Sequence, residues 1–262
     1  MGLAYDRRGQ GPELVLLHGL GHRRQAWNAV LDLLTPHRHV ITVDLPGHGD
    51  SPPLKTNGTD PVEAMGAELI ATLEELGVGR PHVAGNSLGG ALALGAAARG
   101  RAKSVTALSP AGFWAADWQY HYTKAVFGTL KAGRPLKPWM PRLAQTTAGR
   151  AFMHGAVVAR PSRMTPEQAI GDAEAFYRAT ETVDEVLASK RTFTEAAAIP
   201  ADVPVTIAWA EKDRVLLPSQ ARVAKRQLPG ATFILLRGCG HVPMTDDPRS
   251  IARILLRGSE KD

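Results

Sequence analysis

The sequence predicts an α/β fold in which a mostly parallel, open sheet carries helices on both faces. Short apolar runs with the length of buried strands recur along the chain, and helical patterns separate most of them. Between residues 112 and 200 this alternation stops, which predicts an insertion of a different kind. We therefore expect a core formed by residues 1–111 and 201–262, and a helical cap, or lid, formed by residues 112–200.

The predicted strands are runs of three to five residues in which apolar or β-branched side chains predominate. They lie at 13–17, 39–43, 82–84, 104–108, 205–209 and 232–236. Only 17 residues precede His18, which leaves room for one additional strand, predicted at Leu3–Tyr5.

The predicted helices of the core have recognisable ends. Asp60 followed by Pro61 and Glu63 is typical of a helix start, and Gly77 is a suitable stop for that helix. Other helices are predicted from Arg23 to Leu34, from Leu88 to about Ala98, and from Asp247 onward. The last of these is expected to bury Ile251, Ile254 and Leu255.

The stretch Gly85–Gly89 fits the pattern Gly-x-Ser-x-Gly between a predicted strand and a predicted helix. A sharp strand-to-helix turn forces its middle residue to a positive φ, and the flanking glycines avoid a clash between the strand and the helix. Ser87 is therefore a candidate nucleophile. The helix that follows it would favour a developing negative charge near the Leu88 N–H.

A serine nucleophile needs a base, and the base needs an orienting carboxylate. Asp213 follows the predicted strand at 205–209, and His241 follows the strand at 232–236. The carboxyl ends of parallel strands meet at one edge of a sheet, so both side chains should lie near Ser87. Glu211 and Asp246 are the alternative acids. We prefer Asp213 because the short loop at 210–212 gives it reach.

Another strand run, 13–17, opens into His18-Gly19-Leu20-Gly21, where the Leu20 N–H could join that of Leu88 as an oxyanion donor. With these residues in view, the chain resembles the α/β-hydrolase superfamily. The landmarks that carry the resemblance lie at 18–21, 44–51, 85–90, 213 and 240–243. The segment before His18 is shorter than is usual in that superfamily, so its first edge strand is predicted to be missing. Asn86 stands where histidine is commoner, and it resembles the hydrolases that cleave carbon–carbon bonds as well as many esterases.

The resemblance implies that Ser87 is the nucleophile, His241 the base, Asp213 its orienter, and Leu20 and Leu88 the oxyanion donors. The expected reaction is cleavage of a carboxylic ester through an acyl-serine intermediate. Hydrolysis of a carbon–carbon bond or of a thioester on the same residues stays open. So does a sensor that keeps the fold and only binds a ligand.

The predicted cap contains 11 of the 15 aromatic residues of the chain between Phe113 and Phe193. Phe113 and Trp114 leave a strand end on the expected active-site side, so they are predicted to line a pocket for an apolar acyl or ring group. From Gln119 to Arg163 there are eight Lys or Arg and no Asp or Glu. This basic run is interpreted either as a solvated face or as a surface that steers an anionic substrate.

Composition narrows the remaining function classes. The fraction of apolar residues, 44%, can fill a core, and no apolar run reaches the ~18 residues of a membrane span. The nucleotide-binding glycine pattern is broken at Arg24, so no cofactor is expected. No metal site is expected either, since the glycines between His18 and His22 oppose a shared helical face. No nucleic-acid-binding motif is present. The single cysteine, Cys239, and the absence of a signal peptide predict a cytoplasmic location.

Overall fold

The structure is a computed structural model that describes residues 2–260. Seven strands form one sheet in the order β1-β3-β2-β4-β5-β6-β7. They are β1 (Tyr5–Arg8), β2 (Glu13–Leu17), β3 (His39–Val43), β4 (His82–Asn86), β5 (Ser104–Leu108), β6 (Val205–Ala210) and β7 (Thr232–Leu236). Within the described residues β1 pairs antiparallel with β3, and the other five pairs are parallel. The predicted mostly parallel sheet is confirmed.

The strand β1 lies further along the chain than predicted, and its register runs from Tyr5 opposite Val43 to Arg8 opposite Val40. Its sequence, Tyr-Asp-Arg-Arg, carries no apolar alternation. An edge strand is exposed along one side and tolerates charged residues, which is why an apolar pattern did not reveal it. Leu3, which was predicted to lie in the strand, is instead buried in the core just before it.

Eleven α-helices occur in residues 2–260. They are α1 (Asn28–Leu34), α2 (Pro61–Glu75), α3 (Leu88–Ala98), α4 (Asp117–Ala132), α5 (Met140–Ala144), α6 (Thr147–His154), α7 (Pro166–Arg178), α8 (Thr180–Ala188), α9 (Ala221–Gln227), α10 (Pro243–Asp246) and α11 (Pro248–Gly258). The predicted start of α2 is confirmed, because the Asp60 carboxylate accepts hydrogen bonds from the N–H groups of Val62 and Glu63. The helix predicted from Arg23 begins as a 3-10 turn at Arg24–Trp27 and becomes α-helical at Asn28.

Apolar side chains fill both faces of the sheet. Along β2, Val15 and Leu17 belong to the cluster that includes Leu69 of α2 and Leu92 of α3. Leu14 and Leu16 face the other way, into the cluster that contains Val30 of α1 and Ile251 of α11. Successive residues of a strand point to opposite faces, so this division places helices on both sides, as predicted.

The chain between β5 and β6 carries α4 to α8 and, in the described residues, no strand. We call residues 112–200 the helical segment. Its two ends meet, since the Phe193 N–H donates to the Gly112 carbonyl at 3.0 Å. The helical character predicted for 112–200 is therefore observed. No helix within residues 2–260 has the length and apolar character needed to cross a membrane.

Candidate active site

The turn between β4 and α3 has the strained geometry that its glycine pattern predicted. Ser87 has φ 57° and ψ −117° and precedes the first residue of α3. A Cβ on Gly85 would lie 2.1 Å from the Gly89 carbonyl oxygen, and one on Gly89 would lie 2.2 Å from that of Leu17. Only glycine fits at either position, so the backbone holds the Ser87 side chain at the carboxyl edge of the sheet.

His241 and Asp213 form a buried pair beside this turn. The Nδ1 atom of His241 lies 2.8 Å from the Asp213 Oδ2 atom. The other carboxylate oxygen of Asp213 accepts hydrogen bonds from the N–H groups of Val215 at 2.9 Å and Leu216 at 2.8 Å. With Oδ1 held by two backbone donors, Oδ2 is directed at the imidazole.

The two alternative acids are engaged elsewhere. The Glu211 carboxylate accepts from the Gly238 N–H at 2.7 Å. Asp246 is fully buried and accepts from the N–H groups of Ala159, Arg160 and Gly240 at 3.0, 2.6 and 2.7 Å. Asp246 thus joins the helical segment to the loop that carries His241. Its closeness to His241 in the sequence did not indicate this role.

Two cavities meet at Ser87, which is only 6% exposed. The first, which we call the α3 chamber, has an empty volume of about 960 Å³ and runs between α2, α3 and the helical segment. The second, which we call the histidine chamber, has an empty volume of about 830 Å³ and is bordered by His241 and Asn86. No hydrogen bond of the Ser87 hydroxyl is found among residues 2–260. Ser87 and His241 both line the histidine chamber.

The predicted oxyanion donors lie next to Ser87. A Cβ on Gly19 would come within 3.2 Å of the Ser87 Cβ, so the His18–Gly21 loop passes directly over the serine. Leu20 borders both cavities together with Ser87. Leu88 is the first residue of α3, a position at which the N–H has no intrahelical acceptor.

Two buried histidines hold that loop through hydrogen bonds that the sequence did not reveal. The Nε2 atom of His18 accepts from the Leu45 N–H, and that of His48 accepts from the Gly21 N–H, each at 3.0 Å. Burial lowers the pKa of His18 well below its ordinary value and lowers the pKa of His48 to about 4. Both rings are therefore neutral acceptors at pH 7.

Asn86 also has a function in the site that sequence reasoning missed. Its buried amide donates to the carbonyls of Leu108 at 3.1 Å and His241 at 2.9 Å. The residue before the candidate nucleophile therefore fixes the backbone of the candidate base. This structural role does not depend on which bond is cleaved, so Asn86 does not separate ester cleavage from carbon–carbon bond cleavage.

Of the two aromatic residues predicted to line the pocket, only one borders a cavity. Trp114 borders the α3 chamber, and its indole N–H donates to the Arg191 carbonyl at 2.9 Å. Phe113 borders neither cavity. It is fully buried, with its ring centroid 5.3 Å from that of Phe193 and 6.5 Å from that of Trp209. The pocket role expected for Phe113 is wrong, since neighbouring residues after a strand point in different directions and Phe113 points into the core.

Part of the basic run is already paired. Lys131 forms an ion pair with Asp184 at 2.6 Å. Arg150 is buried against the Ala144 carbonyl, and Arg160 and Arg163 donate to the Asp246 carbonyl. These groups have structural partners, which favours the interpretation of the run as a scaffold and a solvated face over that of a steering surface.

A model of the alpha/beta hydrolase family matches residues 14–254. The chain belongs to this family. The match spans the elbow at Ser87 and the loops of Asp213 and His241, which confirms the resemblance drawn from the sequence and makes the protein an esterase-like hydrolase.

Individual relatives agree with this assignment. The hydrolase is 27% identical over 251 residues to Lipase 3 of Moraxella sp. (strain TA144), covering 92% of this chain and 75% of the lipase. It is 26% identical over 266 residues to a pimeloyl-[acyl-carrier protein] methyl ester esterase of Nitrosospira multiformis, covering 97% of each. Its fold is similar to that of a meta-cleavage product hydrolase from Pseudomonas fluorescens IP01, with a TM-score of 0.76 at 18% identity over 97% of this chain and 93% of the other.

Proposed function

We propose that the hydrolase cleaves carboxylic esters through a covalent acyl-serine intermediate. The observation that carries the proposal is the arrangement of the elbow serine and the His241–Asp213 pair. Ser87 lies at a strained turn and borders the same cavity as His241, whose Nδ1 is 2.8 Å from a carboxylate oxygen of Asp213. Relatives named lipase and esterase support the same reaction class.

In the proposed reaction His241 removes the Ser87 proton through Nε2 while the serine oxygen attacks the ester carbonyl. The N–H groups of Leu20 and Leu88 stabilise the oxyanion of the tetrahedral intermediate. His241 then gives its proton to the departing alkoxide. Water repeats the sequence on the acyl-serine, and Asp213 stabilises the imidazolium in both halves.

We further propose that residues 112–200 act as a cap over the core formed by 1–111 and 201–262. Side chains of the helical segment border both cavities: Trp114, Tyr120 and Phe127 the α3 chamber, and Phe127 and Met153 the histidine chamber. A cover of this kind limits water during the reaction and strengthens electrostatic interactions in the site. The substrate is then a small molecule with an apolar acyl or ring group. A cytoplasmic location stays a prediction from the single cysteine.

The proposal is tested by labelling with a fluorophosphonate probe and by turnover of aryl esters. We expect the native chain to be labelled and the Ser87→Ala variant to be unlabelled, with kcat lower by ~10⁴–10⁶. Undiminished labelling of Ser87→Ala would place the nucleophile elsewhere. A panel of esters, thioesters and ring-cleavage products separates ester cleavage from the alternatives, and labelling without turnover of any of them would favour a ligand sensor.

A further inference from the structure

Two glycines in the middle of helices border the α3 chamber from facing sides. Gly66 lies in α2 and Gly95 lies in α3. A Cβ on Gly66 would meet only the side chain of Leu92, at 3.7 Å, and a Cβ on Gly95 would meet only the flexible end of Arg99, at 3.1 Å. Backbone packing therefore does not require glycine at either position, unlike Gly85 and Gly89 at the elbow.

Glycine in a helix interior weakens the helix relative to alanine. At Gly66 and Gly95 the visible effect of glycine is that the missing side chain leaves more of the chamber empty. The side chains nearest to the two glycines, Leu92 and Arg99, also border the chamber, so an added side chain would extend into the cavity. These positions control how much of the cavity is free.

The length of the chamber follows from helix geometry. Residues that border it recur on successive turns of α3, at Leu88, Ala91 and Gly95, and continue at Arg99 just past the end of the helix. With a rise of 1.5 Å per residue, Gly95 lies about 12 Å and Arg99 about 18 Å from Ser87 along the helix axis. An extended chain advances roughly 1.2 Å per bond, so Gly95 is level with about the tenth atom of a chain attached at Ser87.

The walls of the chamber fit an aliphatic chain. Its middle is lined by Leu69 and Ile70 of α2, Leu92 and Ala96 of α3, and Leu187 of α8. Two of the cations on the border are paired: Arg191 is bound by Glu63 at 2.9 Å and also by Glu195, and Lys190 lies 3.1 Å from Asp117. Arg99 is exposed, and its guanidinium donates to the Gly95 carbonyl at 3.1 Å. A long apolar chain can be buried along the middle of the chamber, where these walls are apolar and the one cation without an acidic partner within residues 2–260, Arg99, is exposed.

We propose that Gly66 and Gly95 are specificity-determining residues that keep the distal half of the α3 chamber open for a linear acyl chain of about eight to twelve carbons. This inference rests on the proposed acyl-serine reaction, whose nucleophile lies at the mouth of the chamber. The acyl group then extends along α3, and the leaving alcohol occupies the histidine chamber.

The test measures kcat/KM for p-nitrophenyl esters from acetyl to palmitoyl with the intact wild-type chain and with Gly66→Leu and Gly95→Leu. Gly128→Leu is the matched control, because Gly128 is also inside a helix, borders neither cavity and has open space where its Cβ would be placed. Gly95→Ala and Gly66→Ala extend the series with smaller side chains. Circular dichroism and thermal unfolding show whether each variant is folded.

We expect the wild type to gain kcat/KM with chain length up to about eight to twelve carbons, by up to about fourfold for each methylene buried. Gly95→Leu should lose this gain for octanoyl and longer chains while acetyl and butyryl esters react within about threefold of wild type. The control should keep the wild-type profile. An unchanged profile in both leucine variants, or an equal loss at all chain lengths, would overturn the inference. Absence of ester turnover and of Ser87 labelling in the wild type would instead refute the proposed function.

Discussion

Replacing Asp213 by asparagine tests whether Asp213 is the carboxylate that orients His241. In the native structure the Oδ1 atom of Asp213 accepts from two backbone N–H groups, those of Val215 and Leu216. An asparagine must keep its oxygen at this position, because an NH₂ group there would face two donors. Its NH₂ group is then directed at the Nδ1 atom of His241, 2.8 Å away in the native pair.

An NH₂ group facing Nδ1 donates to it and places the imidazole proton on Nε2. The Nε2 atom can then no longer accept the proton of Ser87. The wrong tautomer costs a factor of ~10⁴ in kcat when the geometry is otherwise unchanged, which corresponds to about 5 kcal/mol of barrier. We therefore expect Asp213→Asn to retain its fold and its affinity for substrate and to lose kcat by about this factor.

The assay is steady-state hydrolysis of an aryl ester, with binding of a substrate analogue and thermal unfolding measured in parallel. Glu211→Gln is the control, because Glu211 follows the same strand and its carboxylate contacts only the Gly238 N–H in the described structure. Activity of Asp213→Asn within tenfold of wild type would refute the reasoning, as would a crippled Glu211→Gln beside an active Asp213→Asn.

The remaining predictions concern the hydrogen bonds that hold the site. Asn86→Ala removes the donor to the carbonyls of Leu108 and His241, and we expect it to lower the free energy of unfolding by about 1–3 kcal/mol and to lower kcat more than it raises KM; Asn86→Asp should be worse, and an unaffected kcat in both would show that Asn86 does not position His241. The pKa of His48 is lowered by burial from 6.5 to about 4, so its folded state favours the neutral ring. The contribution of His48 to the free energy of unfolding is present in full above pH 6.5. It is lost as the pH falls toward 4, because the unfolded state takes up the proton first, and the loss is about 2 kcal/mol between pH 7 and pH 5. Urea unfolding at these two pH values should show a smaller change in His48→Gln than in wild type, and equal changes would contradict the assignment.

Sequence patterns predicted the parallel core well because each central strand is a short run buried on both faces. The edge strand β1 was misplaced because its side chains, such as Asp6 and Arg7, carry no such pattern. At the site, local motifs sufficed to place Ser87 at a positive φ, and the neighbouring strand ends brought Asp213 to His241.

Residues whose contacts join distant parts of the chain could not be predicted in this way. The Asn86 amide meets a carbonyl 155 residues away, and Asp246 collects backbone donors from two separate segments. Nothing in the local sequence distinguishes these side chains from ordinary polar residues. The pocket role predicted for Phe113 was wrong for a related reason, since the direction of a side chain just beyond a strand depends on the tertiary packing around it.

The anchor at Asp246 sets a limit on how this hydrolase can be recombined. The backbone of 159–160 is bound to the Asp246 carboxylate, and the Val242 N–H donates to the Val157 carbonyl at 2.9 Å. Although the helical segment occupies one interval of the chain, it is therefore not a self-contained cassette. In a chimera that replaces 112–200 with the corresponding region of a relative, the loop of His241 contacts residues that are not its native partners. Grafts that retain 157–160 keep these native contacts, so substrate range can be exchanged at α8, which borders the α3 chamber, without removing the partner of the His241 loop.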